Sequence, residues 1–133
     1  MNKRFWMAFA ACYVVAQVLG FVIHGVLLAD TYEALASVWR PKEQMEAMMP
    51  IMMATGLIWV FLFCLIFTKG YEGKGIGEGL RYGLLIGLFV SVMQAFDSYV
   101  IYPIPLDLAI TWFVSGVIFY VILGAVLAAI YRR

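Results

Sequence analysis

Residues 48–68 read MMPIMMATGLIWVFLFCLIFT, a continuous stretch with no charged side chain. A helix rises 1.5 Å per residue, so about 20 such residues cross roughly 30 Å of hydrocarbon. Three more runs have this character, at 5–29, 80–101 and 106–131. The first is uncharged apart from His24. The run 80–101 holds Arg81 at its start and Asp97 near its far end, and 106–131 has only Asp107 at its entrance. Across 133 residues, 65% of side chains are hydrophobic and 13% charged, about half the charged share of a soluble domain. A net charge of +1 leaves no basic footprint for nucleic acid. Lipid does not tolerate unpaired sheet edges, so the four runs are read as helices. The expected fold class is an all-α integral membrane protein: one domain over 1–133, built as a four-transmembrane-helix bundle. A cleaved signal peptide is the rival for the first run. Its apolar core exceeds the usual length of roughly 7–15 residues, and Ala34-Leu35-Ala36 comes too late for a cleavage site.

Orientation follows from the basic residues. Lys3, Arg4, Lys69, Lys74, Arg81, Arg132 and Arg133, seven of the nine, fall on one side of the expected membrane. Arg40 and Lys42 lie on the other, among Asp30, Glu33, Glu43, Glu46 and Asp107. The positive-inside bias therefore predicts cytoplasmic termini and a cytoplasmic loop at 69–79, in a bacterial inner membrane. Aromatic anchors agree, with Trp6, Tyr71, Tyr82 and Tyr131 at inner ends and Tyr32, Trp39, Tyr102 and Trp112 at outer ends.

The loop at 69–79 is glycine-rich but has neither a preceding strand nor a Gly-Lys-Ser/Thr sequence, so a flexible connector is expected rather than a phosphate cradle. The outer segment 30–47 has Asp30 and Glu33 in a capping-box-like spacing. Tyr32, Leu35, Ala36 and Trp39 then follow at helical intervals, predicting a short amphipathic helix in the outer interface. Pro41 suits the start of a helix running into the second span, with a kink expected at Pro50. Asp107 is placed to cap the fourth helix.

Gly79, Gly83, Gly87, Ser91 and Ala95 recur every fourth residue on the third span. Small residues permit the close backbone approach that drives helix packing in lipid, so this row is expected to be a packing face. Polar side chains within spans turn toward the bundle interior, because acyl chains offer them no partner. On the first helix Gln17 and His24 share a face with Tyr13 and Gly20; on the third, Ser91, Gln94, Asp97 and Ser98 cluster; on the fourth, Thr111 and Ser115 are neighbours. By helical rise, His24 lies about 9 Å before Asp30 and Asp97 about 7 Å before Tyr102. These matching depths predict a polar site in the outer leaflet half where His24 and Asp97 meet, with Gln94, Gln17, Thr111 and Ser115 nearby. Such a group either fixes helix register or binds a small molecule or relays protons, since histidine titrates nearest neutral pH.

Met45, Met48, Met49, Met52 and Met53 gather where the second helix enters. Thioethers suit Cu(I), making Met45, Met49 and Met53 a copper candidate, but methionine is equally a flexible apolar filler. Cys12 and Cys64 both fall in the cytoplasmic half and are expected to be buried reduced thiols. A single histidine excludes a bis-histidine haem within one chain. No cofactor is implied.

The stretches Gly20-Phe-Val-Ile-His-Gly-Val-Leu-Leu28, Phe67-Thr-Lys-Gly-Tyr-Glu-Gly-Lys-Gly75 and Tyr102-Pro-Ile-Pro105 resemble a group of small bacterial four-span membrane proteins with no assigned activity. The resemblance covers nearly the whole chain and implies a four-span fold, without supplying functional residues. No nucleophile–base pair is visible in the sequence. The expected role is a non-catalytic accessory or assembly subunit of a larger membrane complex, contacting lipid and other membrane subunits or copies of itself. The alternative is a small-molecule binder or proton-linked transporter centred on His24 and Asp97.

Overall fold

The computed structural model describes residues 1–132, and among them every regular element is helical. Helix α1 spans Lys3–Gly20 and runs directly into a π-helical segment at Phe21–Leu27. Two short helices follow, α2 (Ala29–Ala34) and α3 (Lys42–Ala47). Three long helices complete the chain: α4 (Met49–Lys69), α5 (Ile76–Ile101) and α6 (Leu106–Ile130). Four helical stretches are long and apolar enough to cross a membrane: Lys3–Leu27, α4, α5 and α6. The Arg4 guanidinium donates to the Arg132 carbonyl, so the first and last spans bring both ends of the chain to one end of the bundle. That end, with the 70–75 loop, is called the terminal end; the end carrying α2 and α3 is the cap end.

The deepest contact joins α5 to α6. Gly79, Gly83, Gly87, Ser91 and Ala95 are all buried and form the seam. A Cβ on Gly79 would collide with the Gly124 carbonyl, and one on Gly83 with the Tyr120 carbonyl. Backbone thus lies on backbone, an approach that only glycine permits. The hydrophobic core sits toward the terminal end. There Phe5, Ala8, Cys12 and Ala16 of α1 meet Val60, Phe63, Cys64 and Phe67 of α4 and Leu123, Leu127 and Ala128 of α6. A second cluster at the cap end is built on Leu28, Ile104 and Leu108, with Tyr32, Leu35, Val38, Trp39 and Trp112 against it. Large apolar side chains such as Leu85, Phe89 and Val100 cover the outside, as lipid-facing helices require.

Helix ends follow from local chemistry, and several differ from the sequence expectation. Asn2 caps α1 by accepting the Phe5 N–H at 3.0 Å. Pro50 does not kink a continuous helix. The chain breaks at Met48, and Pro50 takes the first turn of α4, where its missing N–H leaves no bond unmade. Asp30 and Asp107 stand inside the first turns of α2 and α6 instead of capping them, with Leu28 and Pro105 at the cap positions. Asp107 still accepts the Leu108 N–H at 2.9 Å, and a carboxylate there complements the helix dipole. Helix α5 begins at Ile76, four residues before the expected apolar run, because the preceding loop is anchored to it by Glu78.

Candidate functional site

Helices α5 and α6 stay packed together toward the cap end, as the Phe96–Phe113 ring contact shows. Near the terminal end α4 and α5 are tied together: the Tyr82 hydroxyl donates to the Phe63 carbonyl at 2.6 Å, and its ring contacts Phe63 and Phe67. Toward the cap end the space between these helices opens into a cavity of about 440 Å³. That volume lies within the range of small-molecule sites, roughly 300–1,000 Å³. His24 and Tyr32 form one wall, Met52 and Trp59 of α4 the second, and Gln94 and Ser98 of α5 the third. Helix α6 supplies the rest of the lining with Trp112, Ser115, Gly116, Phe119 and Tyr120, and the cavity stays partly open to the outside.

His24 is positioned by the π-helical segment. The Leu28 N–H reaches the Ile23 carbonyl, five residues back, at 3.0 Å. Gly25 leaves room for the Phe21 ring, whose Cδ2 would lie only 3.0 Å from a Cβ there. Such widened turns occur frequently at functional sites, because they re-aim the side chains they carry. Immediately beyond it, α2 folds Tyr32 back toward His24. The Tyr32 oxygen and His24 Nδ1 are 2.6 Å apart, with the rings inclined by only 14°. Trp112 Nε1–H donates to the same oxygen at 2.7 Å.

This three-residue chain fixes a proton. The indole is a donor only, so it occupies a lone pair of the tyrosine oxygen. No other acceptor for the tyrosine hydrogen is present among the described residues, so we assign it to His24 Nδ1 and the neutral imidazole proton to Nε2. Burial pushes the Tyr32 hydroxyl above its ordinary pKa despite the opposing Trp112 bond, keeping it protonated as a donor. Trp39 packs edge-on to Tyr32 at 5.8 Å and holds the ring in place. Elsewhere in the cavity both serine hydroxyl hydrogens are already committed, while the Tyr120 hydroxyl has no partner among the described residues. Ser98 donates to the Gln94 carbonyl and Ser115 to the Thr111 carbonyl, each at 2.6 Å, leaving both oxygens with free lone pairs. The Gln94 side-chain amide has no partner among the described residues.

The structure brings His24, Gln94 and Ser115 to one cavity, as the sequence suggests, together with Ser98. It does not bring Asp97. That side chain is exposed, lies outside the cavity lining and makes no bond to His24, whose partner is Tyr32. Equal depth fixes height but not azimuth: Ser98 faces the cavity, and its neighbour Asp97 is turned about 100° away on α5. Thr111 bonds back to the Asp107 carbonyl at 2.8 Å and is not in the lining either. Gln17 lies near Gly56, its Nε2 3.5 Å from where a Cβ there would stand, and is also outside the lining. The sequence reading missed Tyr32, Trp59, Trp112, Phe119 and Tyr120 as site residues. Trp59 and Tyr120 carried a usable signal, since these residue types concentrate at interfaces and these two sit well inside their spans.

Other candidates separate cleanly from this cavity. Met45, Met49 and Met53 are exposed along α3 and α4, and the Tyr13 hydroxyl donates to the Met53 carbonyl at 3.3 Å. Cys12 and Cys64 are free, fully buried thiols, with Cys12 Sγ 3.7 Å from the Leu123 carbonyl. Among the described residues, no three His, Cys, Asp or Glu side chains converge.

The glycine-rich loop lines a second recess at the terminal end, and it is an anchored turn, not a free connector. The buried Glu78 carboxylate accepts the Glu72 N–H at 2.6 Å and the Lys74 N–H at 2.8 Å. Gly73 and Gly75 supply the positive φ values, 77° and 79°, that aim these amides inward. Its amides therefore already hold an anion, which an incoming phosphate would have to displace. Lys74 pairs with Glu72 and holds that carboxyl below its ordinary pKa. No family model, curated protein or solved structure matches the chain.

Proposed function

We propose that this chain is a non-catalytic, small-molecule-binding protein of the bacterial cytoplasmic membrane, with its ligand held in the cap-end cavity. The observation that carries this reading is the convergence of His24, Gln94, Ser98 and Ser115 on one aromatic-walled space of about 440 Å³. Polar side chains are expensive inside a bilayer, and a group of them that remains incompletely bonded to one another marks a binding site by default. Catalysis is not part of the proposal. The Ser98 and Ser115 hydroxyls bond to carbonyls of their own helices, so neither serine is paired with a base, and the hydroxyl that His24 does accept from, that of Tyr32, is held by Trp112.

The distribution of charge supports an orientation with both termini and the 70–75 loop in the cytoplasm, since six of the eight Lys and Arg among the described residues belong to that end. The cavity then sits in the outer leaflet half, beside α2. Native mass spectrometry of the gently extracted protein tests the function. The wild type should carry a bound small molecule near one per chain, and Ser98→Phe, which fills the cavity away from the α5–α6 seam, should lose it. An adduct retained by Ser98→Phe would overturn the assignment. So would a wild type that is always empty but accompanied by another polypeptide in fixed ratio, which would favour an accessory subunit instead.

A further inference from the structure

The chemistry of the cavity wall restricts what it can take. No Lys, Arg, Asp or Glu is among the lining residues, the nearby carboxylate of Asp97 included. A charged ligand would therefore find no counter-charge among the lining residues, which is unfavourable within a span. This favours a neutral ligand. Its shape follows from the rings. Trp59 contacts Phe119 and Tyr120, each with centroids 5.8 Å apart, and Phe119 and Tyr120 meet edge-on at 5.2 Å. A wall of aromatic faces and edges favours a flat, conjugated molecule, which gains stacking contacts beyond its buried area.

Its polarity follows from the proton inventory. Tyr32 and Trp112 leave His24 with Nε2–H as a donor, the Ser98 and Ser115 oxygens retain acceptor capacity, and the Trp59 N–H and Tyr120 O–H of the lining are two further donors without an acceptor among the described residues. Gln94 can serve either role. We infer that the cavity binds an uncharged planar ring compound carrying a ring carbonyl oxygen, the quinone class, with that oxygen accepting from His24 Nε2–H. This rests on the binding reading above and adds the ligand class to it.

The chain contains one histidine, so ¹⁵N-histidine labelling gives a single pair of ring resonances to follow. The probe is 2,3-dimethyl-1,4-naphthoquinone, whose blocked ring carbons resist thiol addition. It is titrated into the full-length protein in nanodiscs beside 2,3-dimethylnaphthalene, which has the same shape without oxygens, and tetraphenylphosphonium, a lipophilic cation. The free protein should show the neutral Nε2–H tautomer. The quinone should shift Nε2 saturably and bind about tenfold more tightly than the hydrocarbon, the factor expected of one hydrogen bond of roughly 1.4 kcal/mol. His24→Phe, which keeps an aromatic wall and removes the donor, should abolish that advantage while hydrocarbon binding persists. Equal affinity for quinone and hydrocarbon, or tighter binding of the cation, would overturn the ligand class while leaving the cavity a binding site. Saturable binding of none of the three would overturn both readings together.

Discussion

The α5–α6 seam makes a graded prediction for adding one methyl group at successive glycines. At Gly83 a Cβ would overlap the Tyr120 carbonyl and stand 2.8 Å from Val121 Cα. Carbon atoms are comfortable at about 3.5–4.0 Å, so α6 must withdraw by roughly 1 Å. Gly79 is equally blocked, with Ala128 Cβ at 2.5 Å and the Gly124 carbonyl carbon at 2.8 Å. Both obstacles are backbone or short side chain and cannot swing aside. Overpacking of this kind costs about 1–3 kcal/mol. At Gly87 the nearest atoms lie at 3.1–3.2 Å, so a shift of a few tenths of an ångström suffices and the cost falls to the low end of that range. Gly20 is the internal control. It has helical backbone and nothing within 4 Å of an added Cβ, so Ala there gains the helical preference of about 0.5–1 kcal/mol. The expected order of stability is Gly20→Ala at or above wild type, then Gly87→Ala, with Gly83→Ala and Gly79→Ala lowest. The extremes should differ by roughly 1.5–4 kcal/mol. Reversible unfolding in mixed detergent–SDS micelles, followed by circular dichroism, measures this directly. If Gly83→Ala is as stable as Gly20→Ala, the seam is not a close backbone contact and the packing argument fails.

Two further substitutions probe single polar groups. Glu78→Ala leaves the Glu72 and Lys74 amides without their shared acceptor, at a cost of about 1–3 kcal/mol. Amide hydrogen exchange should accelerate at those two positions first, and unchanged protection would refute the anchoring role. Ser91 is 2% exposed and its hydroxyl has no hydrogen-bond partner, so Ser91→Ala removes an unsatisfied group and should leave the unfolding midpoint unchanged or raised. A loss above about 1 kcal/mol would mean that the hydroxyl is bonded.

The spans were legible because lipid imposes a simple rule: uncharged runs of sufficient length become helices. Their ends were less so. The loop before α5 is apolar-poor and reads as connector, yet Glu78 reaches back to its amides and lets the helix start at Ile76. The small-residue row on α5 announced its packing face, since spacing every fourth residue projects one stripe and each member is buried. The site was half legible. His24, Gln94 and Ser115 share one cavity wall, as expected of polar groups within spans, whereas depth carries no azimuthal information and so could not separate Asp97 from Ser98. The partner of His24 was invisible for a different reason. A π-helical turn followed by a six-residue helix returns Tyr32 to a residue eight positions earlier, and no α-helical period predicts that geometry.

The two halves of the cavity wall differ in how firmly the fold holds them. Gln94 and Ser98, with Ser115, Gly116, Phe119 and Tyr120, belong to the α5–α6 pair, where backbone contact begins at Gly79 and Gly124 and small residues continue the seam to Ala95. That pair is a rigid platform in the sense that no rotamer change relieves a displacement. His24 and Tyr32 instead hang on a π-helical segment and a short helix with no buried residue of their own, secured by the Trp112 bond and the small cluster around Leu28. A ligand in the proposed site is therefore gripped between a fixed wall and one of low local stability, the arrangement from which binding elements are drawn. The donor His24 should remain oriented only while Tyr32 bridges it to Trp112. On that reasoning Trp112 acts as a positioning residue, joining the adaptable wall to the rigid one across 80 positions of sequence.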